Sequence, residues 1–316
     1  MIICPVVLAG GFGKRLYPLS TIEKPKQFIN FFKDNTSFFQ HNIKRIREVL
    51  KDETIIITCN KLNLELVKLQ LIQLNEKNYR IIVEEDSKNT FCSLLTILKL
   101  IEIENKKVDT IFISTADSYI ENTKEFVKNL KMSLIVSFFT QKNLIFGIKP
   151  SEANTNYGYI KTNKNKFDIF DDGFFLNVDS FLEKPDKKTA EKFIKNKNYL
   201  WNSGNFIFNY KTLIKEIKQY QLKNFITYKK MNLLQKSKNI FYTDDVFLTL
   251  DNLQIDKAII EKSKNLICCK ADFDWCDIGS FEVIERLVIA KKIVIPNINH
   301  LCLTFNKNLL KTKSTL

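Results

Sequence analysis

Three glycines and two cations crowd the end of the chain's first apolar run, in Leu8-Ala9-Gly10-Gly11-Phe12-Gly13-Lys14-Arg15-Leu16-Tyr17-Pro18-Leu19-Ser20, with Lys24-Pro25-Lys26-Gln27-Phe28 close behind. Glycine lets backbone N–H groups close around phosphate oxygens, and an arginine fork can grip two oxygens at once. That is polyphosphate chemistry. A plain strand-to-helix turn would explain the glycines but not the cations beside them. Spacing excludes two familiar alternatives. A Walker A loop would put Gly at Leu8 and Ser or Thr at Arg15, and a dinucleotide fingerprint would put Gly or Ala at Leu16.

A carboxylate holds a similar place after a later apolar run, in Ile111-Phe112-Ile113-Ser114-Thr115-Ala116-Asp117-Ser118. Just past a strand, Asp117 can hold Mg²⁺ against phosphate oxygens, since hard cations take oxygen ligands and Mg²⁺ usually keeps one or two protein carboxylates. A lone aspartate there is more often a turn or cap. Between these stations lies Glu84-Glu85-Asp86-Ser87-Lys88-Asn89-Thr90. The amide of Asn89 and hydroxyl of Thr90 suit a base edge, although Asn and Ser are also favoured helix caps.

The elements that must position these residues follow from periodicity. Apolar runs predict strands at Ile3–Ala9, Thr54–Cys59, Arg80–Glu84 and Thr110–Ser114. Between them, three- and four-residue steps such as Leu62, Leu66, Leu69 and Ile72 predict helices at Phe38–Leu50, Leu62–Leu74 and Thr90–Ile103. This alternation implies a parallel sheet with helices on both faces, whose ligands sit beyond the carboxyl ends of the strands. The chemically loaded segments fall there. From about Gly147 the texture changes. Strands are expected at Tyr157–Thr162, Phe167–Phe170, Val178–Glu183 and Asn205–Asn209, and helices at Lys187–Lys195, Lys211–Gln235 and Ile255–Lys262. No Pro- or Gly-rich linker divides the two halves, so the second is expected to complete the same sheet.

The glycine segment resembles the signature of the sugar-1-phosphate nucleotidyltransferases, in particular the mannose-1-phosphate guanylyltransferases, in which Gly-Gly-x-Gly-x-Arg-Leu-x-Pro-Leu-Ser leads into Pro-Lys-Gln-Phe. The Gln27-Phe28 ending favours the guanylyl branch. The resemblance implies that Leu8, Ala9, Gly10, Gly11, Gly13 and Lys14 line the nucleotide's site, with Arg15 and Lys26 on its phosphates. Residues 84–90 are similar to the family's Glu-Pro-x-x-Arg-Asn-Thr-Ala stretch, which puts Asn89 and Thr90 beside base or ribose. Where the family has Pro-Ala-Asp-His, this chain keeps Asp117 but has Thr115 and Ser118 at the flanks. Asp274-Trp275-Cys276-Asp277-Ile278-Gly279-Ser280-Phe281 resembles Trp-x-Asp-Val-Gly-Ser-Trp, and makes Asp277 the second metal ligand. Two carboxylates meeting at one point imply a cation between them.

Sugar-facing motifs lie between. Phe146-Gly147-Ile148-Lys149-Pro150 and Asn156-Tyr157-Gly158-Tyr159-Ile160 resemble Phe-Gly-Ile-x-Pro and Thr-Gly-Tyr-Gly-Tyr-Ile. Phe181-Leu182-Glu183-Lys184-Pro185 resembles Phe-x-Glu-Lys-Pro, and Trp201-Asn202-Ser203-Gly204 matches Trp-Asn-Ser-Gly. They imply a sugar site at Gly158, Tyr159, Glu183, Asn202 and Ser203, with Lys184 neutralising the 1-phosphate. Ile255-Asp256-Lys257-Ala258 resembles the family's Ser-Ile-Asp-Tyr-Ala helix start and is read as structural.

The implied fold is α/β, a three-layer Rossmann-like nucleotidyltransferase (GT-A-like) fold with a mostly parallel mixed sheet. A domain over 1–290 is expected, its nucleotide-binding part about 1–145 and its sugar-binding part about 146–290, followed by a short tail, 291–316, without the cupin isomerase domain of bifunctional relatives. The implied reaction is Mg²⁺-assisted transfer of a guanylyl group from GTP to mannose 1-phosphate, in polysaccharide precursor synthesis. Another sugar 1-phosphate, such as a manno-heptose 1-phosphate, or another NTP is the alternative, and a non-catalytic NDP-sugar-binding regulator is one of a different class. The regulator would be expected to lose Arg15, Asp117 or Asp277.

Composition narrows the partners. The chain has 316 residues and a net charge of +14, but only five of its 49 basic residues are arginine and the lysines are spread throughout. A nucleic-acid binder would cluster them. No apolar run approaches the ~20 residues of a membrane helix, and the start lacks the basic n-region of a signal peptide, so a cytoplasmic protein is expected. A homodimer is compatible with this picture. The seven cysteines lack a C-x-x-C pair and sit in apolar surroundings, as small buried hydrophobes would. Two histidines give little scope for a histidine base or metal ligand.

Overall fold

The computed structural model describes residues 1–11, 14–166 and 174–295. Its first half is built on four parallel strands, β1 (Ile3–Leu8), β2 (Ile55–Asn60), β3 (Tyr79–Glu84) and β4 (Thr110–Thr115), lying in the order β3-β2-β1-β4. Helices α1 (Phe38–Val49), α2 (Leu64–Gln73) and α3 (Thr90–Ile103) connect them. Each of these elements falls within two residues of its predicted span. Alternate side chains of β1 serve opposite faces of the sheet. Val6 joins an apolar layer with Ile56, Ile82 and the α3 residues Phe91 and Leu94, while Val7 joins Ile57, Val83, Phe39 and Val67 on the other side. Burial on both faces is why these strands read as nearly unbroken apolar runs. α1 starts at a capping box, Ser37 Oγ accepting from Gln40 N and Gln40 Oε1 from Ser37 N.

The chain continues through β5 (Ser118–Ile120), α4 (Thr123–Thr140), β6 (Asn143–Ile148), β7 (Tyr159–Lys166), β8 (Phe175–Leu182), α5 (Lys187–Ile194) and β9 (Tyr199–Asn209). After β9 come α6 (Tyr210–Tyr220), α7 (Leu222–Lys230), β10 (Leu233–Ser237), β11 (Ile240–Thr243), β12 (Leu266–Lys270), β13 (Trp275–Asp277) and α8 (Phe281–Ile289). The main sheet has eleven strands in the order β10-β11-β3-β2-β1-β4-β9-β6-β12-β8-β7. It is parallel from β11 to β4. β9 then runs antiparallel to both β4 and β6, so the second half is mixed. A separate two-stranded ribbon of β5 and β13 sets Asp277 opposite Ser118. No helix among the described residues is long and apolar enough to cross a membrane. The six cysteines described are buried.

Two expectations are corrected. The helix predicted over Lys211–Gln235 is broken at Gln221, whose φ of −135° leaves the helical region, and its end becomes strand β10, which pairs with β11. The Asp244 carboxylate accepts from Asn232 N at 2.8 Å, so the chain turns into the sheet edge there instead of winding on. The helix predicted over Ile255–Lys262 carries a π-turn, Asp256–Ile260. The strand expected at Phe167–Phe170, the residue Gly13 and the tail from 296 lie outside the described residues.

Candidate functional site

The Lys26 ammonium is the point on which the site converges. Nζ lies 2.9 Å from Asp117 Oδ2, 2.9 Å from Asp277 Oδ1 and 2.9 Å from the Ile278 carbonyl, so its three donors each have a partner. Asp117 leaves the end of β4 and Asp277 ends β13; the ribbon pairs the strand after one with the strand containing the other. The two expected metal carboxylates are thus brought onto one nitrogen, their oxygens no more than two such distances apart. Lys26 side-chain exposure is 10%, against 36% for Asp117 and 29% for Asp277. Burial alone pulls the ammonium's pKa down, but the charges and hydrogen bonds of the two aspartates outweigh it and hold it above the ordinary lysine value. Among the described residues no group of three or more His, Cys, Asp or Glu is placed to hold a metal ion. A cation here would have two protein carboxylates, the number Mg²⁺ usually keeps.

Two cavities meet beside this point. The upper, about 330 Å³, is lined by Leu8, Gly10, Gly11, Gln27, Glu84, Ser87, Lys88 and Ser93 among others. The lower, about 240 Å³, is lined by Gly158, Glu183, Lys184, Asn202, Ser203, Asp256 and Asp277. Asn89, Thr90, Thr115 and Asp117 belong to both. Of the expected nucleotide residues, Leu8, Gly10 and Gly11 line the upper cavity, whereas Ala9 is buried beneath it with its carbonyl held by Gln27 and Asn63. Lys14 and Arg15 fall in a short 3₁₀ turn; Arg15 is exposed and lines neither cavity. Asn89 and Thr90 line both, but their polar groups also tie the chain together. Asn89 N and Nδ2 lie 2.9 and 2.7 Å from Asn252 Oδ1, and Thr90 Oγ1 accepts from Ile255 N at 2.9 Å.

On the lower side Gly158, Glu183, Asn202 and Ser203 line one cavity. A Cβ on Gly158 would fall 2.6 Å from the Phe181 ring and 2.7 Å from Glu183 Oε2, so glycine is required by close approach. Lys184 pairs with Glu183 Oε1 at 2.8 Å and has a positive φ of 51°. Tyr159 is not brought to the cavity. It is 1% exposed and donates its hydroxyl to the Asn154 carbonyl at 2.9 Å. The cavity's aromatic wall is Tyr157, set edge-on to both Trp201 and Trp275.

Several residues went unread in the sequence. Gln27 Nε2 donates to the Gly11 carbonyl at 2.7 Å and Asn60 Nδ2 to the Gly10 carbonyl at 3.2 Å, fixing the glycine loop from below. Asn42, Ser114 and Asn205 join the expected Ser203 in a buried network under the end of β4 and the middle of β9. Glu84, at the end of β3, lines the upper cavity with Oε1 buried and unpartnered, and burial pushes its carboxyl up to about 8. Its place at a strand end over the cavity is the signal that could have marked it. Asp256 lines the lower cavity.

Comparison with known proteins gives the family. Residues 4–289 match the Nucleotidyl transferase family. The chain belongs to that family. It is 31% identical over 297 residues to a mannose-1-phosphate guanylyltransferase of Escherichia coli, covering 90% of this chain and 61% of that protein. It is 30% identical over 282 residues to the alginate biosynthesis protein AlgA of Pseudomonas syringae pv. tomato, covering 87% of this chain and 56% of that one. The chain thus spans about 60% of the length of the curated relatives it matches. Among solved structures, one described as a mannose-1-phosphate geranyltransferase from Thermus thermophilus superposes with a TM-score of 0.77 at 22% identity, over 91% of this chain and 79% of that chain. One described as a mannose-6-phosphate isomerase from Helicobacter pylori gives 0.72 at 21%, over 88% and 100%. These two bear on the nucleotidyltransferase fold alone.

Proposed function

We propose that this chain transfers a guanylyl group from GTP to mannose 1-phosphate, giving GDP-mannose and pyrophosphate. The observation that carries the proposal is the convergence of Asp117 and Asp277, from distant parts of the sequence, on Lys26 at the junction of two cavities. A two-substrate phosphoryl transfer needs this layout, with one substrate on each side of a cationic centre. The names of the curated relatives supply the substrates.

An oxygen of the sugar phosphate attacks the α-phosphorus of GTP in line; the new P–O bond forms as the bond to the β-phosphate oxygen breaks, and pyrophosphate leaves. The attacking phosphate is already ionised near neutral pH, so no general base is required. Positioning and charge neutralisation then supply most of the rate. The glycine loop, braced by Gln27 and Asn60, would cradle the triphosphate, and Arg15, exposed outside the cavity, would have to swing over its outer phosphates. Lys26 contributes a fixed ammonium at the junction, and Lys184 faces the sugar phosphate. Asp117 and Asp277 would hold Mg²⁺, and their hard, partly exposed carboxylate oxygens fit that ion. When bound, it neutralises phosphate oxygens around the reacting phosphorus.

The choice of guanine rests on the names of the curated relatives. A reaction that consumes GTP and sugar phosphates belongs in the cytoplasm, and a homodimer is compatible with it. The test is pyrophosphate release from GTP and mannose 1-phosphate with and without Mg²⁺. Magnesium-dependent release is expected, with GTP preferred over ATP, UTP and dTTP. Failure to release pyrophosphate with any NTP and sugar 1-phosphate pair overturns the proposal.

A further inference from the structure

The reaction as outlined leaves unused an acid that lines the lower cavity. Asp256 stands there with Glu183, Lys184 and Asn202, and it is only partly exposed. It opens the π-turn, whose wide register brings Glu261 N to the Asp256 carbonyl at 2.9 Å. Such turns are rare and occur mostly at functional sites. The carboxylate also sets a neighbour. Asn202 donates from Nδ2 to Asp256 Oδ1 at 2.8 Å, while Asn202 Oδ1 accepts from Gly204 N at 3.2 Å. Together these bonds fix which way the amide points and leave its second N–H for a ligand. Among the described residues no other side chain donates to Asp256. Burial first, and then the Glu183 charge, push its carboxyl above the ordinary aspartate range; Lys184 opposes and Glu261 adds to this.

Two carboxyls and an oriented amide in a small cavity are acceptors and a donor for neutral hydroxyls, with the charge of Glu183 matched by Lys184 at 2.8 Å. We propose that Asp256 is a specificity-determining residue for the sugar, binding one ring hydroxyl itself and holding Asn202 to bind a neighbouring one. This rests on the reading of the lower cavity as the sugar phosphate's site. The ring then faces Asp256 and Glu183, and the phosphate faces the junction at Asp117.

The experiment measures initial rates of pyrophosphate release for wild type, Asp256→Asn and Asp256→Ser, with GTP and mannose 1-phosphate or its 2-, 3- and 4-deoxy analogues. KM for mannose 1-phosphate is expected to rise about tenfold or more, the worth of one hydrogen bond to a charged group, while KM for GTP stays within about twofold. On one deoxy analogue the gap between variants and wild type should narrow, because the hydroxyl that Asp256 binds is already missing and only the loss at Asn202 remains. The inference is overturned if both KM values rise together, or if variants lose the same factor on every analogue, as a purely structural acid would give. Asp256→Ser carries the same comparison if the asparagine variant does not fold. A wild-type protein inactive with every NTP and sugar 1-phosphate instead refutes the functional reading, and this inference with it.

Discussion

Replacing Asp277 by asparagine separates the two jobs of that carboxylate. In the fold it is one of two acids holding a nearly buried ammonium; Asp117 and the Ile278 carbonyl remain when its charge is removed. A hydrogen bond to a charged group contributes about 1.5–3 kcal/mol, so Asp277→Asn should cost roughly that much out of a total stability of about 5–15 kcal/mol. At about 2–4 °C per kcal/mol for a large domain, the melting temperature should fall by under ~12 °C and the chain should still fold. Catalysis should suffer more. One of two hard oxygen ligands becomes a neutral amide, and loss of one preorganised electrostatic group typically costs about 100- to 1000-fold in turnover. The assay is pyrophosphate release from saturating GTP and mannose 1-phosphate across a Mg²⁺ titration, with thermal melts alongside. Turnover near the wild-type value at the wild-type Mg²⁺ optimum refutes the metal assignment. A collapsed melting temperature with normal turnover in the cold would make Asp277 an anchor for Lys26 and nothing more.

Three other perturbations probe other parts of the cleft. Gly158→Ala drives a methyl against Phe181 and Glu183; KM for mannose 1-phosphate should rise severalfold with KM for GTP unchanged, and equal effects on both would argue against the division of the cavities. Glu84 is held protonated by burial up to about 8, while the unfolded chain releases that proton near 4.5. Its stabilising contribution is therefore complete below about pH 4.5 and is lost as pH rises to about 8. Between about pH 5 and 8 the melting temperature of Glu84→Gln should gain on that of wild type, and a constant gap would show that Glu84 does not titrate there. Thr90→Val leaves Ile255 N without its acceptor, a loss of about 1–3 kcal/mol; KM for both substrates should rise, and an unchanged sugar KM would break the link between the two sides.

The first half of the fold was legible because its strands are buried on both faces and leave nearly unbroken apolar runs, so β1 to β4 lie where the pattern put them. The helices also fall at their predicted spans, but around α2 the steps at Leu62, Leu69 and Ile72 are exposed while Leu64, Val67 and Leu71 face the core, and α3 is buried all along Phe91–Ile101. The second half was harder. Strand β10 is largely exposed and polar, with only Leu233 buried, so Leu233–Ser237 read as the tail of a helix. The π-turn at Asp256 left no mark in the apolar spacing, and an aspartate at a helix start looks like a cap, so its place in the lower cavity went unseen. Tyr159 illustrates the reverse error. It sits in a motif of sugar-facing residues, but β7 begins there, and strand alternation sends Tyr159 and Ile160 into the apolar layers on opposite faces of the sheet, away from the cavity that Gly158 lines. Asp117 and Asp277 could be named from the sequence; the short ribbon that joins them could not.

That ribbon is one of two ties across the cleft, and together they bear on how the substrates meet. The other is the seam between residues 88–92 and 248–255. Lys88 Nζ reaches the Leu248 and Leu250 carbonyls, Phe91 N the Leu253 carbonyl and Thr90 Oγ1 the Ile255 amide, so the stretch that lines the upper cavity is fastened to the turn that delivers Asp256 to the lower one. An in-line attack tolerates little misplacement, and a shift of about 1 Å can cost ~100-fold. In this fold the spacing between the two cavities is set by hydrogen bonds between the segments that line them. On the proposed reaction, the nucleotide's phosphates and the sugar's hydroxyls would be held by one continuous piece of structure, with the acids at residues 117 and 277 fixed between them. Binding at either end should therefore stiffen the other. Amide hydrogen exchange tests this: GTP alone should slow exchange at residues 255–261 as well as at 84–92. Protection confined to 84–92 would mean that the seam carries packing but no coupling.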